Sequence, residues 1–320
     1  MKYLIGIDGG GTKTAFILCD QDGKKLAHLV GEGTSYSQYG INAVVNTIEC
    51  YINRCISEAK IDAADVVGIC AALPCIGEYE QADKEFIRIL TQRLSKFPIK
   101  VINDAVVGWA GSLAGCAGIN IVAGTGSIAY GANSKGECAR CGGWSWKFSD
   151  EGSCYWAGQR VMQLFSKQAD GRLPKSALYY NLYKKFNLKT DFQFIEIVEK
   201  DYCPYREKVA SLQIELNIAA NDGDESAIEV YNEAARELAA IVCSIAQKLD
   251  FALPINLSYS GGIFKAGKLI LEPFSKLLPA ERFTLCTPIL SPVQGAVLMA
   301  FREFFPEKEH QAIENMKAEI

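Results

Sequence analysis

The chain has 320 residues, 49% of them hydrophobic and 22% charged; this balance supports a folded, well-cored protein of two domain lengths and excludes a disordered or fibrous one. Thirty-three basic residues against 37 acidic ones leave a net charge of −4, dispersed along the chain, so the basic surface that nucleic acid demands is missing. Twelve cysteines show no disulfide-like spacing, and Lys2 is followed by only a short apolar stretch ending at Asp8; both point to reduced thiols and a cytoplasmic chain.

In chain order, Tyr3 to Asp8, Thr14 to Asp20 and Lys25 to Val30 read as strands and Asn42 to Lys60 as a helix. Val66 to Ala71 reads as a strand, Glu78 to Ser95 as a helix, and Ile99 to Ile102 as a strand. Residues 105 to 134 carry no charge, but seven glycines and several polar side chains interrupt them. They are expected to form a buried helix, a loop and strands, with no membrane partner. From Gly118 the scheme restarts, with strands at Ile119 to Ala123, Ser127 to Asn133 and near Glu137. A helical stretch follows, then a strong helix from Glu225 to Leu249 introduced by Asp222, Gly223 and Asp224. Strand Asn256 to Tyr259, a Gly-Gly turn, a helix near Lys268 to Leu277, strand Arg282 to Cys286 and a helix from Pro292 to Phe304 complete the chain. The expectation is an α/β protein made by internal duplication, with lobes at 1–117 and 118–320 and a helical insert at about 155–220 in the second.

Three glycine-rich turns carry the chemistry. Gly9-Gly10-Gly11-Thr12-Lys13 follows a buried strand, where backbone N–H groups can close around an anion. It is neither a Walker A loop nor GxGxxG, because Thr12 precedes Lys13 and a strand follows in place of a helix. A hairpin that offers glycine amides and a Thr hydroxyl to phosphate is the solution of actin-like ATPases. The pattern recurs at Gly124-Thr125-Gly126-Ser127, and Ser260-Gly261-Gly262 offers a side-chain-free surface for a flat ring. Asp8, at the end of the first strand, is placed to hold Mg²⁺, through water since that ion gives up its shell reluctantly. Asp104 follows an apolar strand and stands at the N-cap position of the next helix, where capping alone is the plain alternative to catalysis.

The order DGGGTKT, NDA, GTGS, CGGW, DEGS and SGG resembles the BadF/BadG/BcrA/BcrD ATPase family, and within it the N-acetylglucosamine kinases, over almost the whole chain. The resemblance implies two ribonuclease-H-like (actin-like ATPase) lobes with ATP in the cleft between them, and a homodimer. It implies phosphate contacts from Gly10, Gly11, Thr12, Lys13, Gly124, Thr125 and Gly126, and nucleotide contacts from Gly261 and Gly262. It also implies Asp104 as the base that takes a proton from the sugar, and sugar contacts from Gly143, Trp144 and Asp150. The chain departs from those kinases twice: Ser145 replaces a glycine, and Ser35 stands where they have a sugar-binding asparagine. The expected reaction is ATP-dependent phosphorylation of the 6-hydroxyl of an amino sugar. N-acetylglucosamine is the first choice of acceptor, with N-acetylmuramic acid and glucosamine as the other candidates.

Two other readings remain at the level of sequence. An ATPase activator that drives a dehydratase or reductase would need iron–sulfur cysteines, and Cys138 and Cys141 are the one close pair. A nucleotide-binding scaffold would polymerise and use no sugar. Zinc is not expected at Cys138 and Cys141, which lack a second pair, and His28 and His310 have no motif around them.

Overall fold

The computed structural model describes residues 1–318 and divides into two compact units. One comprises Met1–Cys116 and the C-terminal stretch from Thr287; the other is Ala117–Cys286. In the first, β1 (Tyr3–Gly9), β2 (Lys13–Asp20) and β3 (Lys25–Glu32) form an antiparallel meander. A single turn of helix, α1 (Tyr36–Tyr39), and the long α2 (Ile41–Ala59) lead into β4 (Val66–Leu73), which pairs parallel to β1. Helix α3 (Glu80–Arg93) crosses to β5 (Ile99–Asn103), parallel to β4, and α4 (Asp104–Ser112) follows directly. The sheet order is β3-β2-β1-β4-β5.

The second unit repeats the plan. Strands β6 (Gly118–Ala123), β7 (Ser127–Ala132) and β8 (Cys138–Gly142) form the meander. Five α-helices then intervene: α5 (Cys154–Ala169), α6 (Ala177–Phe186), α7 (Gln193–Ile197), which runs on into a π-helical turn at Val198–Tyr202, α8 (Arg206–Ser211) and α9 (Gln213–Asn221). Next come α10 (Glu225–Lys248), β9 (Ile255–Ser260), α11 (Lys268–Lys276) and β10 (Phe283–Cys286), with β9 parallel to both β6 and β10. The order β10-β9-β6-β7-β8 is that of the first sheet, strand for strand. Two mixed five-stranded sheets covered by helices make this an α/β protein, as the duplicated pattern predicts.

Each core follows from its periodicity. Val44, Ile48, Ile52 and Cys55 form the buried stripe of α2, and they pack on Ile5, Ile7, Phe16 and Leu18 of the first sheet. In the second unit α10 buries ten residues, among them Val230, Tyr231, Leu238, Val242 and Ile245. Asp224 starts this helix by accepting from Ser226 and Ala227 N–H, and its other oxygen accepts from Leu178 N–H of α6. One buried carboxylate thus caps two helices.

The expectation that the second lobe runs to the C-terminus is corrected for its last stretch. Helix α12 (Pro292–Phe304) packs on β1, β4 and α4 of the first unit, followed by α13 (Glu309–Ala318). Its close approach requires two glycines. A Cβ at Gly6 would lie 2.7 Å from Val297 Cγ2, and one at Gly295 would lie 2.5 Å from Gly111 N. Burial decides which unit holds this helix, and sequence order does not reveal it.

Candidate active site

In the first unit the predicted residues gather at the C-terminal ends of β1, β4 and β5, where open α/β sheets bind ligands. The β1–β2 turn is closed by Gly10 N–H donating to Lys13 C=O, 2.9 Å, and anchored by Thr34 N–H donating to Gly10 C=O, 3.0 Å. The Thr14 hydroxyl donates to Thr34 Oγ1 at 3.0 Å, and the Tyr39 hydroxyl donates to Gly11 C=O at 2.9 Å. Gly10 N–H is therefore spent on the turn itself, and Gly11, Thr12 and Lys13 form its exposed tip. A Cβ at Gly11 would meet nothing nearer than Gln38 Oε1 at 3.9 Å. Neither packing nor a left-handed backbone demands glycine there, and what its absence of side chain provides is close access to the backbone.

Asp8 lies opposite Ala15 and Ala72 in the sheet. Burial pushes its carboxyl up to about 7, the charge of Asp104 adds to the rise, and Lys13 opposes it. A buried carboxylate with the charge of a second carboxylate beside it is a donor set short of positive charge, which a hard divalent cation satisfies. Asp8 thus fits the expected Mg²⁺. Among the described residues no group of three His, Cys, Asp or Glu could hold a metal unaided.

Asp104 does not cap its helix, in contrast to the sequence expectation. The N-cap is Asn103, whose Oδ1 accepts from Ala105 N–H at 3.0 Å and whose Nδ2 donates to Ile76 C=O at 2.8 Å. Asp104 is the first helical residue, where the helix dipole favours its negative charge. The Asn103 link also ties α4 to the β4–α3 turn. That turn is fixed in its own right: Gly77 N–H donates to Asp83 at 2.8 Å, and the Tyr36 hydroxyl donates to the same carboxylate. Tyr36 follows Ser35, so Ser35 is set against the turn, 3.5 Å from Cys75 Sγ and 3.0 Å from Ser37 Oγ. Ser35 is buried.

In the second unit Gly143, Asp150 and Gly261 approach the turn at residues 124–128. Gly124 N–H donates to Gly126 C=O at 2.9 Å, and the first amides of α5 hold the loop's carbonyls, Cys154 N–H to Gly124 and Tyr155 N–H to Thr125. A Cβ on Gly124 would meet nothing within 4 Å, the same open situation as Gly11. Gly261, at φ +110°, turns its back on Ala123 and Gly124; a Cβ there would sit 2.6 Å from Gly124 N. Gly262 lies against Cys154 Sγ.

Gly143 abuts Ile128, and its carbonyl accepts from Arg140 at 2.8 Å. Trp144 is 76% exposed, whereas Trp146 packs edge-on to Tyr155 with ring centroids 5.2 Å apart. Ser145 is built into a turn, its carbonyl accepting from Ser149 N–H at 2.7 Å and its hydroxyl from Lys147 N–H at 3.3 Å. Asp150 is only 4% exposed. Burial raises its carboxyl above the ordinary range, against the lowering effects of Arg206 and of Ser127 N–H. Arg206, from α8, forms an ion pair with it.

Sequence reasoning missed Thr34, Tyr39, Cys75 and Arg206. None stands in a motif. Arg206 is 56 residues from Asp150, and only the packing of the helical insert joins them.

A relative from Clostridium acetobutylicum, an N-acetylmuramic acid/N-acetylglucosamine kinase, is 31% identical over 87% of this chain and 90% of its own. An N-acetyl-D-glucosamine kinase from Dictyostelium discoideum is 28% identical over 93% of this chain and 98% of its own. A solved structure from Chromobacterium violaceum, provisionally named an N-acetylglucosamine kinase, superposes with a TM-score of 0.74 at 25% identity, covering 94% of this chain and 99% of that one. The model of the BadF/BadG/BcrA/BcrD ATPase family matches residues 5–300, and the chain belongs to that family.

Proposed function

We propose that the protein is an ATP-dependent amino-sugar kinase that phosphorylates the 6-hydroxyl of an N-acetylhexosamine. The observation that carries this is the pair of hairpin turns at equivalent places in two copies of one fold. In the first, Gly10 N–H closes the turn and Gly11 has open space in place of a side chain; in the second, Gly124 does both. Family membership and relatives named as amino-sugar kinases support it.

Under this reading Gly11, Thr12 and Lys13 of the first unit, and Thr125 and Gly126 of the second, bind the phosphates. Gly261 and Gly262 offer the adenosine a surface without side chains. Asp8 would hold the Mg²⁺ that accompanies ATP as part of the substrate, and that ion would supply charge neutralisation for the transferring group. Asp104 accepts the proton of the attacking hydroxyl, and the helix start that carries it is fixed by Asn103. Asp150 accepts from sugar hydroxyls, and Gly143 and Trp144 give the ring a backbone edge and an aromatic face. Ser35, its hydroxyl engaged with Ser37 and Cys75, is shorter than the asparagine it replaces, which leaves room for an acceptor bulkier than N-acetylglucosamine, N-acetylmuramic acid among them.

We further propose that the enzyme works in the cytoplasm as a homodimer. Among the described residues, no helix is long and apolar enough to cross a membrane. An amino-sugar panel with coupled ADP detection tests the function. Turnover that depends on sugar supports it, and ADP release indifferent to every sugar favours an ATPase activator or a scaffold.

A further inference from the structure

The helical insert between β8 and β9 sends one cation into the site. Arg206, the first residue of α8, pairs through Nη2 with Oδ2 of Asp150. Asp150 sits on a turn with a left-handed backbone, φ +66°, which sets the direction in which its side chain leaves the main chain. The pair lies directly on the phosphate turn: a Cβ at Gly126 would fall 2.6 Å from Asp150 Oδ2 and closer still to Arg206 Nη2. Helix α8 is itself pressed against α5 at Gly158, opposite the Val209 carbonyl. Helix α5 in turn grips the same turn through its first amides.

Stability does not account for this arrangement. Asp150 is buried while the Arg206 side chain is 36% exposed; such pairs seldom repay the cost of dehydrating the carboxylate, and Arg206 Nε is shielded with no hydrogen-bond partner among the described residues. Such a guanidinium serves its partner more than the fold.

Resting on the amino-sugar kinase reading, we infer that Arg206 is a positioning residue: it holds Asp150 ionised and aimed, so that the carboxylate accepts hydrogen bonds from the sugar. The groups facing this pair are Glu151 beside it, Ser127 N–H from β7, and Tyr155, which feels the charge of Arg206 and has Cys203 as a further neighbour. Glu151 and burial both favour protonation of Asp150, and Arg206 is the cation that opposes them. Without Arg206 the carboxyl takes up a proton nearer neutral pH and becomes a donor where the sugar needs an acceptor.

The test compares wild type with R206M and R206K in steady-state kinetics against pH, with thermal melting as a check on folding. R206M is expected to raise the sugar KM by about tenfold or more, to change kcat and the ATP KM much less, and to move the acid limb of kcat/KM for sugar to higher pH. R206K should restore part of both effects, and R206M should add little in a D150N background. If wild type turns over sugar while R206M and R206K keep its sugar KM and pH profile, the role of Arg206 is refuted and the kinase function stands. If wild type shows no sugar-dependent turnover, the function falls and this role falls with it. Should R206M fail to melt cooperatively, R206K carries the comparison on the same two readouts.

Discussion

Replacing Asp8 by Asn probes a carboxyl whose environment is at odds with its charge. Burial first, and Asp104 second, push it up to about 7 from the ordinary 3.8. For a carboxyl raised on folding, the favourable contribution is fully present in acid, below the unfolded value, where both states are protonated. It is lost as pH climbs toward about 7 and stays lost above. Integrating between those values, ionised Asp8 weakens the apo protein by on the order of 3 kcal/mol more near pH 9 than near pH 5. Asn, which does not titrate, removes that dependence. Urea unfolding of both proteins in chelator at the two pH values measures it: D8N gains on wild type as pH rises. Magnesium with nucleotide should recover the loss in wild type at alkaline pH, and should stabilise D8N much less. Parallel pH dependences for wild type and D8N would refute the placement of Asp8 in a dehydrated, carboxylate-rich site.

Asp104→Asn should lower kcat by roughly 10²- to 10⁴-fold while ATP binding, followed by calorimetry, changes little. Gly11→Ala has room for its methyl, so melting should be unchanged while the KM for ATP rises; a fall in melting temperature would show that the turn needs glycine for its fold. Trp144→Ala removes an exposed ring, so stability should stay within about 0.5 kcal/mol while the sugar KM rises. Gly295→Ala should cost roughly 1–3 kcal/mol, because α12 and α4 meet backbone to backbone there; unaltered denaturant unfolding would contradict that packing.

Much of this architecture was legible because each copy of the fold buries its strands in short apolar runs and places glycine where a strand turns. The meander starting at Tyr3 and the one starting at Ile119 share that pattern, and α10 announces itself by Asp224. The return of α12 to the first unit was not legible. Gly6 and Gly295 look like ordinary strand and helix glycines until the chains cross. Asp104 was located by the strand before it, but the sequence did not distinguish it from Asn103 as the cap, since either side chain can fill that position. Arg206 lay beyond reach because an ion pair across 56 residues leaves no local signal. Ser35 was placed as a residue, and its neighbour Cys75 was not, because a turn after β4 carries no spacing that predicts which side chain faces back.

The central claim is that a sugar hydroxyl, deprotonated at Asp104, receives the phosphoryl group of ATP. Incubating the purified protein with MgATP and individual amino sugars, and following both ADP and the mass of the sugar, tests it most directly. The account predicts ADP formed in step with a sugar monophosphate for N-acetylglucosamine or a related N-acetylhexosamine, with D104N giving neither at a comparable rate. ADP formed at one rate with and without every sugar, and no phosphorylated sugar, would contradict it.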